Sequence, residues 1–315
     1  MDAIEALGLP ESRWADVDGP VHYREWEGPR GGRTFVCVHG LGGSHLNWAA
    51  VAPGLARRGR VIAMDLAGFG RTAPWDRGTG IGANWRLLNG FIDVLRLPPV
   101  TLVGNSMGGM LSLIEAAHSP ERVDGLVLVD AAFPRARAVR GQPSPRVAAA
   151  FALYSSNRAG RWVVTERAKR LGAEGLVRET LRICAADPSS IDPVLVAAHV
   201  EMARQRLAFE YAAPAFLSAA RSIFRSQVFP SKYRELVRAV QAPALVIHGG
   251  RDGLVPVASA REAVALHPNW KLVVFDDLGH IPQMEAPGRW LAAVEAWLDE
   301  VASADGPEAS AEDAG

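Results

Sequence analysis

Six short apolar runs are spaced along the chain with longer segments of helical periodicity between them, and no other feature narrows the possible folds as far. The runs are RTFVCVHG (33–40), RVIAMDL (60–66), VTLVGNS (100–106), DGLVLVDA (124–131), PALVIHGG (243–250) and WKLVVFDD (270–277). None alternates strictly between apolar and polar residues. Each presents apolar side chains on both faces, as a parallel strand covered by helices on either side must. Apolar residues recur at helical spacing over 45–58, 80–96, 107–118, 256–267 and 286–301, with a break or kink expected at Pro53. The alternation predicts an α/β fold with a mostly parallel sheet, whose binding sites lie at the carboxyl ends of the strands.

The stretch 134–240 breaks this rhythm. It opens with the Pro/Gly/Arg-rich PRARAVRGQPSPR and continues with helical segments and no strand pattern. Roughly 100 residues is too long for a simple crossover between two strands, so an inserted helical domain is expected. The chain then divides into a first part of the core (1–133), a helical cap insertion (134–240), a second part of the core (241–302) and a small acidic tail (303–315) expected to be disordered.

The 34 basic residues balance 34 acidic ones, which argues against a nucleic-acid partner, since phosphate binding needs a basic surplus. Cys37 and Cys184 have no disulfide or metal-ligand spacing, and Cys37, inside an apolar run, is expected to be buried and inert. The N-terminus lacks a signal-peptide pattern, and no apolar run approaches the roughly 20 residues that span a bilayer. A cytoplasmic protein is expected, with no membrane span; the oligomeric state is left open.

Ser106 lies in GNSMGG, after a strand-like run and before a helical one, with glycines two residues to either side. A nucleophile held up on a sharp strand-to-helix turn needs small neighbours there, because the turn packs tightly. The alternative, a plain helix N-cap, would not require the paired glycines. A serine hydroxyl needs a base, and the base an orienting acid. In this strand–helix scheme the acid follows a later strand and the histidine comes last. Asp252, in HGGRDGLVP, and His280, in DLGHIPQMEAP, occupy those positions. Asp130, at the end of an earlier strand, is a rival acid. The remaining histidines fit less well: His22 is N-terminal, His118 and His267 end helices, His199 is in the insertion, and His248 is within a strand end. The expected catalytic residues are Ser106, Asp252 and His280. The oxyanion donors are expected to be the backbone N–H of Met107 and that of Leu41 in HGLGG, with Gly42 the alternate. His39 is expected to brace that loop.

HGLGG, DLAGFGRT, GNSMGG, GGRDGLVP and LGHIPQMEAP, in this order, resemble the α/β-hydrolase superfamily, in its branch with a helical cap after the sixth strand. The resemblance runs from about residue 17 to 301 apart from the cap, and implies a serine hydrolase without metal or cofactor. Ala67 departs from the proline common in relatives, which touches a turn and not the chemistry. Ser106 stands where the related haloalkane dehalogenases and epoxide hydrolases carry aspartate. GNSMGG is similar to the nucleophile turn of carbon–carbon hydrolases that act on ring-fission products, a reading Asn47 could strengthen. GLGGS and GHIPQME look more like esterases, however, and Asn47 and Trp48 read equally well as capping and packing residues. The expected activity is hydrolysis of carboxylic esters of small to medium hydrophobic substrates through an acyl-enzyme. The alternatives are carbon–carbon bond hydrolysis with the same residues, or a non-catalytic ligand-binding role.

Overall fold

The computed structural model describes residues 3–136, 157–228 and 230–304. Eight strands, β1 (Arg13–Asp16), β2 (Pro20–Trp26), β3 (Arg33–Val38), β4 (Gly59–Met64), β5 (Val100–Asn105), β6 (Val123–Val129), β7 (Ala244–Gly249) and β8 (Trp270–Phe275), form one sheet in the order β1-β2-β4-β3-β5-β6-β7-β8. All six runs read from the sequence are strands, and from β4 to β8 every neighbouring pair is parallel. The first two strands are antiparallel additions at one edge. Sequence periodicity passes over them because β2 buries charged residues: Glu25 accepts from Arg13 at 2.7 Å and Arg60 at 2.6 Å, which makes its burial tolerable.

Apolar residues on alternate sides of each strand feed two cores. Val36, Val38, Val246 and Leu128 face a layer built with Leu87, Leu88 and Phe91 of α2 (Ile81–Val94) and Met110, Leu111 and Leu113 of α3 (Met107–His118). Phe35, Cys37, Leu245 and Ile247 face the opposite layer, made by Trp48, Leu55 of α1 (Ala52–Leu55) and Trp290, Val294 and Trp297 of α10 (Pro287–Ala304). This two-sided burial is why the strands do not alternate in sequence. Cys37 is buried as expected, and burial pushes its thiol pKa up. Pro53 does not kink a long helix. Residues 45–48 form a 3-10 turn, and Pro53 sits in the first turn of the separate α1, where its missing N–H costs nothing.

Between β6 and β7 the described residues form α4 (Asn157–Cys184), bent at Gly172, α5 (Pro193–Leu207), α6 (Ala212–Val228) and α7 (Pro230–Ala239). α7 lies against α3 on the sheet's flank. α6 runs across the carboxyl ends of several strands: Thr79 Oγ1 donates to Ala215 O at 3.3 Å, Ser222 Oγ accepts from Ile81 N, and Gln227 Nε2 donates to Phe133 O at 2.9 Å. Past β7 come α8 (Val257–Val264) and α9 (Pro282–Glu285). Most of the Arg-rich connector after β6 (137–146) and the acidic tail from 305 lie outside the described residues; Ser303 and Ala304 complete α10.

Trp290 is fully buried, its ring 6.4 Å from that of Trp48. Trp290→Ala should therefore cost about 3–5 kcal/mol in urea unfolding, with the m-value unchanged. A loss below 1 kcal/mol would mean that this layer collapses to refill the space.

Candidate active site

Five loops leave the carboxyl ends of β3, β5, β6, β7 and β8, and each carries a residue singled out by the sequence. Ser106 follows β5 at φ 54° and ψ −113°, a left-handed φ that costs a non-glycine residue about 1–3 kcal/mol. The conformation is held from both sides, by Ser106 N–H donating to Val129 O at 2.9 Å and Ala132 N–H donating to Ser106 O at 3.0 Å. The flanking glycines are steric requirements. A Cβ at Gly104 would lie 2.6 Å from the Gly108 carbonyl carbon, and one at Gly108 would overlap the Val38 carbonyl oxygen. Ser106 is partly exposed while residues 101–105 and 107–110 are all buried, so the turn lifts this side chain alone toward the strand ends.

The β3 loop closes onto it. Gly43 N–H donates to Gly40 O at 3.1 Å, making a turn with Leu41 and Gly42 in the middle and Gly42 at φ 78°, the combination of a type II turn. A Cβ at Gly40 would stand 3.2 Å from Ser106 Cβ, which places the loop directly beside the serine. Neither Leu41 N–H nor Met107 N–H has an acceptor among the described residues. Met107 opens α3, where the first N–H groups have no partner within the helix. His39 is fully buried and braces the loop: Nε2 accepts from Leu66 N–H at 3.1 Å, so the proton on Nδ1 is the one that reaches Gly40 O at 2.8 Å. Burial lowers its pKa to about 4.

Asp252 and His280 meet because the β7 and β8 loops are zipped together. Gly250 N–H donates to Phe275 O at 2.8 Å and Arg251 N–H to Leu278 O at 2.9 Å, and the backbone at Gly249 touches the Gly279 carbonyl too closely to admit a Cβ. His280 Nδ1 lies 2.7 Å from Asp252 Oδ2. The other Asp252 oxygen accepts from Leu254 N–H at 2.7 Å and Val255 N–H at 3.1 Å. Burial works to raise the Asp252 pKa, but the charge interaction and hydrogen bond with His280 outweigh it and hold the carboxyl below its usual value. With Nδ1–H committed to a carboxylate, Nε2 of His280 is the basic nitrogen. Asn105 Nδ2 donates to His280 O at 3.1 Å and to Val129 O at 3.1 Å, tying the turn before Ser106 to the histidine loop. Of the other candidates, Asn47 is a capping residue whose Oδ1 accepts from Ser44 N–H at 3.0 Å.

Glu285, in LGHIPQMEAP, has no role that the sequence assigns. Its buried carboxylate accepts from Gly279 N–H at 2.8 Å and from Ala186 N–H at 2.8 Å, while Cys184 O accepts from His280 N–H at 2.6 Å. The histidine loop is thus bound to the end of α4. Nothing local in the sequence connects residues 184–187 to 279–285, so only the fold could show this. Asp65, in DLAGFG, is buried and accepts from His22 Nδ1 at 2.8 Å and from both the backbone and ring of His45. Burial raises its carboxyl, yet the two histidines outweigh this and set it well below the usual range. The donor atoms of His22, His45 and Asp65, and those of Asp130, His248 and Asp252, lie within 4.8 Å of one another. In both groups ring N–H groups are engaged with protein acceptors, so the arrangements are hydrogen-bond networks as they stand.

A strand-to-helix turn presenting a serine, with a histidine–carboxylate pair on later strand ends, defines the class of α/β hydrolases. The family model described as alpha/beta hydrolase fold matches residues 33–287, and the chain belongs to that family. It is 31% identical over 287 residues to the dihydrolipoyllysine-residue acetyltransferase component of the acetoin cleaving system of Pseudomonas putida, covering 90% of this chain and 68% of that one. It is 30% identical over 271 residues to a 2-hydroxy-6-oxo-2,4-heptadienoate hydrolase of Pseudomonas putida, covering 85% and 89%. Among solved structures, a putative lipase of Acinetobacter baumannii matches with a TM-score of 0.76 at 22% identity, over 96% of this chain and 95% of that one. The protein is a hydrolase of this fold.

Two outcomes follow from this geometry. Gly108→Ala forces a methyl group into the end of β3 and should destabilise the fold by about 1–3 kcal/mol, measured by denaturant unfolding. The folded His39 ring takes its proton only near pH 4, whereas an unfolded histidine does so near 6.5, so protons favour the unfolded chain between those values. Stability should fall as pH is lowered through that window, by about 2 kcal/mol between pH 7 and pH 5 through His39 alone. A flat profile would show that the ring takes its proton over the same pH range in the folded and the unfolded chain.

Proposed function

We propose that the protein hydrolyses carboxylic esters with a small to medium hydrophobic acyl group, through an acyl-enzyme formed on Ser106. The observation that carries this reading is the His280–Asp252 pair at 2.7 Å, set on strand ends beside a serine held at a strained turn. Ser106 Oγ attacks the acyl carbonyl while His280 Nε2 takes its proton. Asp252 keeps the Nδ1 tautomer and stabilises the imidazolium that forms. The N–H groups of Leu41 and Met107 receive the developing oxyanion, each contributing about 2.7–4 kcal/mol at the transition state. Collapse expels the alcohol, which takes the proton from His280. Water then attacks the acyl-enzyme by the same route in reverse.

The helices inserted between β6 and β7 are read as a cap that roofs this site. Phe216 of α6 supports that reading, since its ring carbons lie 3.6–3.8 Å from the Cβ position of Gly42 in the oxyanion loop. An apolar side chain there favours a hydrophobic acyl or alcohol group. Each buried CH₂ contributes up to about 0.8 kcal/mol. The cap cation near the loops, Arg206, donates to Gly68 O at 2.7 Å and Gly70 O at 3.3 Å, which leaves less of its guanidinium for a substrate carboxylate.

Carbon–carbon hydrolysis is the second reading, favoured by the GNSMGG turn and by the likeness to the heptadienoate hydrolase. The same histidine and serine would serve a ketone in place of an ester carbonyl. A series of p-nitrophenyl esters from acetate to palmitate, run beside one ring-fission dienoate, separates the two. Efficient cleavage of the dienoate with negligible ester turnover would promote the second reading. Turnover of neither, with ligand-dependent thermal shifts, would favour a binding role.

A fluorophosphonate should label Ser106 and fail to label Ser106→Ala. Asp252→Asn should keep the fold and lose about 10⁴-fold in kcat, because the ring would be held in the wrong tautomer. Wild-type rates in either variant would refute the assignment.

A further inference from the structure

Behind the His280–Asp252 pair lies a second carboxyl that the mechanism does not use. Asp130 directly follows β6 at φ 44°, an unfavourable value for an aspartate, and is fully buried. Its carboxyl oxygen and that of Asp252 lie within 4.8 Å of each other, with His248 as the third member of the group. The environments of the two carboxyls differ. Asp252 receives two backbone N–H groups and the His280 ring. Asp130 receives one, Gly249 N–H at 2.9 Å on Oδ1, and its Oδ2 has no donor among the described residues. His248 does not supply one: its Nε2 is 3.6 Å from both carboxyls and donates to Val255 O at 3.0 Å. Glu285 on α9 and Cys184 at the end of α4 also lie near Asp130, and neither brings positive charge. Two buried carboxylates within this distance repel one another, and the one with fewer donors is the one that holds a proton more readily. Burial, and then the charge of Asp252, set the Asp130 carboxyl well above its usual range.

We propose that Asp130 is a neutral carboxylic acid that donates its hydrogen bond to the Asp252 carboxylate and so positions that carboxylate against His280. The inference rests on the reading of Ser106, Asp252 and His280 as a hydrolytic site. Asp130 is not a rival to Asp252 in this arrangement but its support. The proton bridges the two acids, keeps a single negative charge behind the imidazole, and limits rotation of Asp252 away from it. The φ of Asp130 follows from the same arrangement, since Asp130 N–H is bonded to Ile247 O while its side chain turns toward the end of β7.

The charge-free isostere and the donor-free isostere separate the possibilities. Asp130→Asn retains an N–H donor toward Asp252 and an acceptor for Gly249, so kcat should stay within about threefold of wild type. Asp130→Leu removes the donor, and kcat should fall about 10- to 100-fold with KM nearly constant. The acid limb of kcat/KM should also move to higher pH in Asp130→Leu, because an Asp252 carboxylate relieved of its donor holds the imidazolium more tightly; a merely structural role would not move that limb. Infrared difference spectroscopy at pH 8 supplies a readout that needs no activity: the carbonyl stretch of a protonated carboxylic acid should be present in wild type and absent in Asp130→Asn. Absence of the band in wild type overturns the proposal even if Asp130→Leu does not fold. So does full activity in Asp130→Leu, or damage in Asp130→Asn equal to that in Asp130→Leu. Failure of fluorophosphonate labelling at Ser106 with the band intact would instead count against the hydrolytic reading and leave the shared proton standing.

Discussion

The close seating of the first turn of α3 on the end of β3 is the constraint on which the rest of the site depends. Gly108 meets the Val38 carbonyl and Gly104 meets the Gly108 backbone, with no room for a side chain at either place. That approach fixes where β5 must end and forces the intervening Ser106 into its left-handed φ. It also sets the HGLGG loop, which continues from Val38, against the same serine. The strain at Ser106 is offset by backbone hydrogen bonds to the β6 loop and by the packing of α3 into the core beneath it. The backbone of this turn is thus set by the packing of the fold itself, which suits the preorganised donors that the proposed acyl transfer needs.

Buried charge is handled in two different ways around this turn. Asp65 is made tolerable as an anion by converging donors from His22, His45 and backbone N–H groups, and it locks the β4 loop that lies against His39. The pair at the ends of β6 and β7 holds two carboxyls close together with donors enough for one. The difference in donor count, rather than any difference between the side chains, assigns the charge to the acid that faces His280.

The histidine loop is also tied to the inserted helices. Glu285 binds backbone N–H groups of both Gly279 and Ala186, and Cys184 O accepts from His280 N–H itself. Movement of the α4 end would therefore be felt at the proposed general base. The insertion has two kinds of contact with these loops, an apolar one through Phe216 at Gly42 and a polar one through this carboxylate.

The amino-acid sequence by itself determined the parallel sheet, because strands buried on both faces must be apolar throughout, and the six runs carry that composition in plain view. It also marked the loops proposed to hold the site, since Gly104-Asn105-Ser106-Met107-Gly108 and the loops holding Asp252 and His280 follow strand runs directly. The edge strands β1 and β2 were hidden because Arg24 and Glu25 interrupt the apolar pattern, and their burial rests on partners distant in sequence. Tertiary structure alone decided between Asp252 and Asp130 as the partner of His280. Both are aspartates at strand ends, and local sequence cannot say which will receive more donors or which ring nitrogen each will meet. It alone brought Glu285 to the end of α4 and Phe216 to Gly42, because such contacts depend on how elements far apart in the chain pack, and no spacing along the chain encodes that distance.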